Sequence, residues 1–196
     1  LRADIVWKKV PTKPGKYLDF YLALVRSFFE NKDLSFHALV VDTSKSPLDS
    51  HKFFKSSKDH GIDAFAYHLI RSRVLRFPAG SERLHIKLDR RQRPPDLTTR
   101  DLGVRLREAD RDFATVSGHP PLTIRLNSVK GGQHTLLHLC DLLLGAVTAD
   151  LNRKTRSMGK LAILRELSKC LGRSTGEATP PVERKFNVWH FDVPGE

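Results

Sequence analysis

The stretch HTLLHLCDLLLGAVTADLN, residues 134–152, is apolar at most positions and carries one carboxylate, Asp141, in its middle. Wound as a helix, it places His134, His138, Asp141, Gly145 and Thr148 on one face and Leu136, Leu139, Leu143 and Val147 mainly on another. Asp141 stands at the boundary. A buried unpaired carboxylate is too costly to be common, so the structural expectation is a capped or salt-bridged aspartate at the edge of a core. Gly145, one turn later, removes a side chain beside that carboxylate. It leaves room for another backbone or a ligand, at a cost in helix propensity of about 1 kcal/mol.

On either side of this helix the chain alternates between helical and extended patterns. Lys16–Asn31 spaces Leu18, Tyr21, Leu22, Val25, Phe28 and Phe29 as one helical face after the break at Pro14 and Gly15. SFHALVVD, Ser35–Asp42, is nearly continuously apolar and predicts a central strand. Ile62–Leu75 returns to helical spacing and stops before Pro78 and Gly80. RLHIKLD, Arg83–Asp89, alternates Leu84, Ile86 and Leu88 with Arg83, His85, Lys87 and Asp89, so a strand with one polar face is expected, ending on Asp89. A charged helix near Thr98–Phe113, a short strand at Leu122–Leu126, a helix at about Gly159–Leu171 and a strand at Lys185–Phe191 complete the order. Strands alternating with helices argue for an α/β layered domain, and no internal repeat or low-complexity segment interrupts it.

The 196 residues suit one well-buried core, and a single domain is expected. The longest apolar run, Leu142–Val147, is far short of the roughly 20 residues a membrane span needs. Lys and Arg total 34 against 22 Asp and Glu, a net charge of +12, which favours a polyanionic partner and nucleic acid first. The excess is spread over Arg71–Arg76, Arg90–Arg93, Arg105–Arg111 and Arg153–Lys160, like a surface and unlike a tail. Cys140 and Cys170 are too few and too far apart for a zinc ribbon or a disulfide framework. Reduced thiols and a cytoplasmic location are expected. LRADIVWKKV at the start has no signal-peptide core and no initiating Met, and it begins in a strand-like pattern, so the natural N-terminus is expected upstream.

Three chemistries compete for the helix at 134–152. His134 and His138 have the spacing of a HExxH zinc pair and, with Asp141, would offer two imidazoles and a carboxylate, but HTLLH lacks the glutamate base. Cys140 paired with a histidine would be a nucleophile, although a free Cys among leucines is ordinarily a small core residue. The third comes from resemblance. LLHLCDLLLGAV, Leu136–Val147, resembles the LLQLADLLLGAV-type signature closing the bacterial family catalogued as domain of unknown function 3800. DIVWKKV, SFHALVVDTSK, FAYHLIRSRVL, HIKLDRR, NSVK and KFNVWHF follow the family's order over most of the chain.

The resemblance implies a ribonuclease H-like fold, an α/β mixed sheet flanked by helices, here without its N-terminal strand. It also implies carboxylates on central strands and on a later helix that hold Mg²⁺ or Mn²⁺. Hard oxygen ligands suit these ions, and two of them about 3.5–4 Å apart stabilise both the attacking and leaving oxygens at a phosphodiester. Asp141 is the expected helix-borne ligand, Asp89 the first choice on a strand and Asp42 the second. Arg90, Arg91, Arg93 and Lys130 are expected to contact phosphates. Trp7 and Trp189 sit in apolar, strand-like contexts and are read as core or sheet residues. The family's opening Asp-Glu-Ser-Gly is absent, Asp4 and Val6 replace the usual Glu and basic residue, and His138 replaces Gln. The expected activity is therefore a divalent-metal-dependent nuclease. The alternative is a noncatalytic nucleic-acid-binding or interaction module with a degenerate ribonuclease H-like fold.

Overall fold

A computed structural model describes residues 5–42, 58–76, 82–89, 96–118, 120–129, 134–153 and 155–191. Within them the chain forms a 3-10 turn at Trp7–Lys9, helix α1 at Lys16–Glu30, strand β1 at Phe36–Val41 and helix α2 at Lys58–Ile70, which continues as a π turn at Arg71–Leu75. Strand β2 at Arg83–Asp89, helix α3 at Asp96–Ser117 and strand β3 at Thr123–Val129 follow. Helix α4 at Thr135–Asn152, helix α5 at Met158–Leu171 and strand β4 at Phe186–Phe191 complete the order. Two units divide these elements, Leu1–Val40 with Gly131–His190 and Val41–Lys130 with Phe191–Glu196. Among the described residues no helix is long and apolar enough to cross a membrane.

The first unit is built on apolar faces of three helices and the β1–β4 pair. Leu18, Tyr21, Val25 and Phe28 fall at spacings of three and four along α1 and are buried against Leu142, Leu143, Ala146 and Val147 of α4 and Ile163 and Leu167 of α5 in one cluster. Each large apolar side chain so enclosed contributes about 1.5–3 kcal/mol. Phe186 of β4 is fully buried, its ring 4.8 Å from that of Phe36 and 6.4 Å from that of Phe28. The turn from α1 to β1 is held from β4's lead-in: the Lys185 ammonium donates to the C-cap carbonyl Asn31 O at 2.5 Å and to Leu34 O in the loop at 2.6 Å. Arg26 of α1 and Glu166 of α5 form an ion pair at 2.6 Å, and its hydrogen bond is the main reason the Glu166 carboxyl lies below its ordinary value.

The second unit contains a β-α-β unit. β2 and β3 pair in parallel from Arg83↔Thr123 to Asp89↔Val129, and a parallel pair needs a crossover, which α3 supplies. Leu102, Leu106 and Ala109 of α3 are buried with Leu75 and Ile124, and Leu84, Ile86, Leu88 and Leu126 pack against that cluster. Asp110 fastens the end of the crossover: its buried carboxylate accepts the Leu122 N–H at 2.6 Å just before β3 begins.

Several expectations shift. The extended pattern at DIVWKKV is a 3-10 turn over Trp7–Lys9, because β-branched and aromatic residues make a strand only where another strand's edge accepts them. The helix expected over Ile62–Leu75 starts earlier and widens into the π turn, whose apolar spacing is too close to that of an α-helix to be told from it. β3 runs three residues past Leu126 because its partner β2 continues to Asp89. On α4, His138 is 8% exposed and Leu136 is 64% exposed, the reverse of their expected sides. His138 lies one and two turns before Leu142 and Ala146, both fully enclosed, and shares their side of the helix. Cys140, expected among core leucines, is exposed, and Cys140 and Cys170 are free thiols.

Candidate functional site

Asp141 lies on the exposed side of α4. Its Oδ2 accepts the backbone N–H of Trp7 at 2.8 Å, 134 residues away in sequence. Trp7 is the first residue of the 3-10 turn, where N–H groups lack partners within the turn, and Val6 before it supplies no side-chain cap. The carboxylate therefore caps a turn from a distant part of the chain, and its negative charge suits that end of the turn.

Gly145 explains how the turn comes so close. A Cβ built there would lie 2.2 Å from Trp7 Cγ and 2.4 Å from Trp7 Cβ, so the tryptophan occupies the volume a side chain would fill. Gly159 does the same for the chain that follows, since a Cβ there would lie 1.8 Å from Pro11 O. Lys160 extends its ammonium over the Trp7 ring at 5.2 Å, a cation–π contact worth about 0.5–1 kcal/mol at an exposed site. Two glycines and one aspartate thus hold residues 7–11 against α4 and α5.

Between the turn and the two helices is an open cleft of about 670 Å³. Trp7, Lys8, Asp141, Thr148, Asn152, Thr155 and Lys160 are the lining residues with groups able to hold a ligand, and Leu144 and Ala149 add apolar wall. Thr148 donates its hydroxyl to Leu144 O at 2.9 Å, and Asn152 donates one Nδ2 hydrogen to Thr148 O at 2.8 Å, so the Asn152 side-chain oxygen and its second N–H are left for a visitor. The cleft presents two cations, an indole and an amide around one carboxylate. Such a set favours an anion that also carries a flat apolar group.

The other sequence candidates fall elsewhere. Asp89 is exposed at the end of β2, and Asp42 is exposed directly after β1; both belong to the second unit, whereas Asp141 belongs to the first. Arg90, Arg91, Arg93, Lys130 and Asp4 lie outside the described residues. His134 is the N-cap residue of α4 and His138 is buried behind it. Among the described residues no group of three or more His, Cys, Asp or Glu side chains is placed to hold a metal ion. Asp141, with one oxygen on the Trp7 amide, does not make a divalent-metal site on its own. The Cys140 thiol is accessible at the surface, yet desolvation by its neighbours, and then the charge of Asp141, push it up from its ordinary value. That environment opposes a thiolate nucleophile.

Lys8, Asn152 and Lys160 were not singled out from the sequence. Gly145 was the signal that pointed to them, because a glycine inside a strongly apolar helix marks a close approach. No protein-family model matches the chain, and neither a curated protein nor a solved structure is similar to it.

Proposed function

We propose that this chain binds nucleic acid through a layered α/β domain of ribonuclease H-like class, and that the cleft beside Asp141 receives a nucleotide without cutting it. One observation carries the reading: Lys8 and Lys160 line that cleft with Trp7, the Lys160 ammonium over the indole, while the Asp141 carboxylate is engaged with the Trp7 amide. Ammonium groups contact phosphates, and apolar and aromatic wall accepts a base without regard to its identity. The net charge of +12 supports a polyanionic partner. The parallel β2-α3-β3 unit, with α3 packed over it, supports the layered α/β class.

The test is a fluorescence-anisotropy titration of a labelled single-stranded oligonucleotide with the whole chain and with a Lys8→Glu, Lys160→Glu double variant. Reversing two contacting cations is expected to weaken binding at least about tenfold with thermal unfolding little changed. No binding by the parent chain, or equal binding by the variant, overturns the reading.

A further inference from the structure

β2 and β3 have two unlike faces. Leu84, Ile86, Leu88, Ile124 and Leu126 turn toward the α3 cluster, whereas Arg83, His85, Lys87 and Asp89 of β2 are exposed, as are Thr123, Arg125 and Asn127 of β3. The parallel register sets Arg83 beside Thr123, His85 beside Arg125 and Lys87 beside Asn127. Residues two apart along a strand are about 6.6 Å apart and project to the same side, and neighbours across the ladder are about 4.8 Å apart. The outer face is therefore a grid of cationic and hydrogen-bonding side chains that ends at the Asp89–Val129 pair, with Asp89 the single acid these two strands contribute to it.

Two features of the grid need a physical reason. Parallel sheets are ordinarily covered on both faces, and this pair carries polar residues where a covering helix would demand apolar ones. Moreover, Lys87 and Arg125 stand one step apart across the ladder, and like charges placed together on one sheet face destabilise it. A polyanion lying across the face removes that repulsion. Thr and Asn hydroxyl and amide groups interleaved with Arg and Lys are the side chains that bond phosphate oxygens. Neither strand places a Phe, Tyr or Trp on this face, and the small imidazole of His85 is its one aromatic ring, so the face contacts backbone more than bases.

We infer that the outer face of β2 and β3 is a track for the sugar–phosphate backbone of nucleic acid, contacted through Lys87 and Arg125 without sequence preference. The inference rests on the nucleic-acid reading above and adds a second contact surface in the other unit, remote in sequence from the residues of the cleft. Arg125 is the centre of the grid, since it stands beside His85 with Arg83 and Lys87 one step to either side.

The experiment uses the whole chain and a labelled 20-base-pair DNA duplex at several salt concentrations. The variant is Lys87→Glu, Arg125→Glu, with Lys87→Gln, Arg125→Gln as a second form that adds no repulsion. Both positions are exposed strand positions that tolerate polar residues. The expected result is affinity lower by tenfold or more in the Glu form, less in the Gln form, and a shallower dependence of log affinity on log salt by about 0.9 for each lost phosphate contact. Unchanged affinity and slope in both variants, with the parent still binding, overturns the track and leaves the cleft reading standing. Failure of the parent to bind any nucleic acid overturns both. Poly-glutamate competing as well as DNA at equal charge assigns the face to an acidic protein partner and overturns the inference.

Discussion

Asp141 and Gly145 act on the same neighbour. The carboxylate takes the Trp7 N–H, and the missing side chain of Gly145 leaves the space in which the indole sits. Gly145→Ala is thus a test of the close approach. Alanine favours the helix by about 1 kcal/mol, but its Cβ meets Trp7 at 2.2 Å, closer than any nonbonded carbon pair tolerates, and the ring must move. Overpacking of this kind costs about 1–3 kcal/mol, so the expected outcome is net destabilisation in urea titration together with a red shift of tryptophan emission. An unchanged midpoint and unchanged emission would mean that Trp7 is not seated against α4. The sequence marks Asp141 and Gly145 as unusual within their helix, and even suggests that some backbone or ligand comes close. It does not name Trp7, because a partner 134 residues away is chosen by how the chain folds back and not by any local pattern.

Helix α4 ends as its sequence suggests, at Asn152, but it does so through an unfavourable conformation. Arg153, the C-cap, has φ 50 and ψ 28, a left-handed backbone that costs an ordinary residue about 1 kcal/mol or more and a glycine nothing. Its N–H still donates to Asp150 O at 3.2 Å. Arg153→Gly is expected to stabilise the chain by about 0.5–1 kcal/mol, since the relieved strain exceeds the greater freedom of an unfolded glycine. For a chain of this length that is a rise of roughly 1–4 °C in the midpoint of thermal unfolding, and a fall instead would mean that the Arg153 side chain makes a stabilising contact. The helices and strands themselves follow from apolar spacing, with α1, β2 and α5 found within a residue of where periodicity places them. The exception is the segment around Trp7. Its composition suits a strand, yet strand formation is a property of pairs, and the segment forms a 3-10 turn capped by a helix instead.

Charge acts over the whole molecule. With 34 Lys and Arg against 22 Asp and Glu, any nucleic-acid complex of this chain releases counterions, whichever surface makes the contacts. Raising sodium chloride from 50 to 200 mM is expected to weaken binding at least about tenfold in an anisotropy titration, and a flat response would show that the basic excess is a solvated surface without a polyanionic partner. The distribution matters as much as the sum. Lys8 and Lys160 belong to the first unit and Lys87 and Arg125 to the second, so losses measured for the two sets separately show whether one or both units touch the nucleic acid.

Local chemistry is enough to establish the alternation of elements, the polar face of β2, the boundary position of Asp141 and the basic character of the chain. Each depends on residues within a turn or two of one another, or on composition. Tertiary packing supplied the rest: that β2 and β3 run parallel in register, that Trp7 lies under Gly145, and that the Asp141 carboxylate caps a turn. It also turned His138 inward and Leu136 outward. The physical reason is common to all of these. A helix with apolar residues on nearly every side has no preferred side of its own, and a carboxylate accepts whichever donor the fold carries to it.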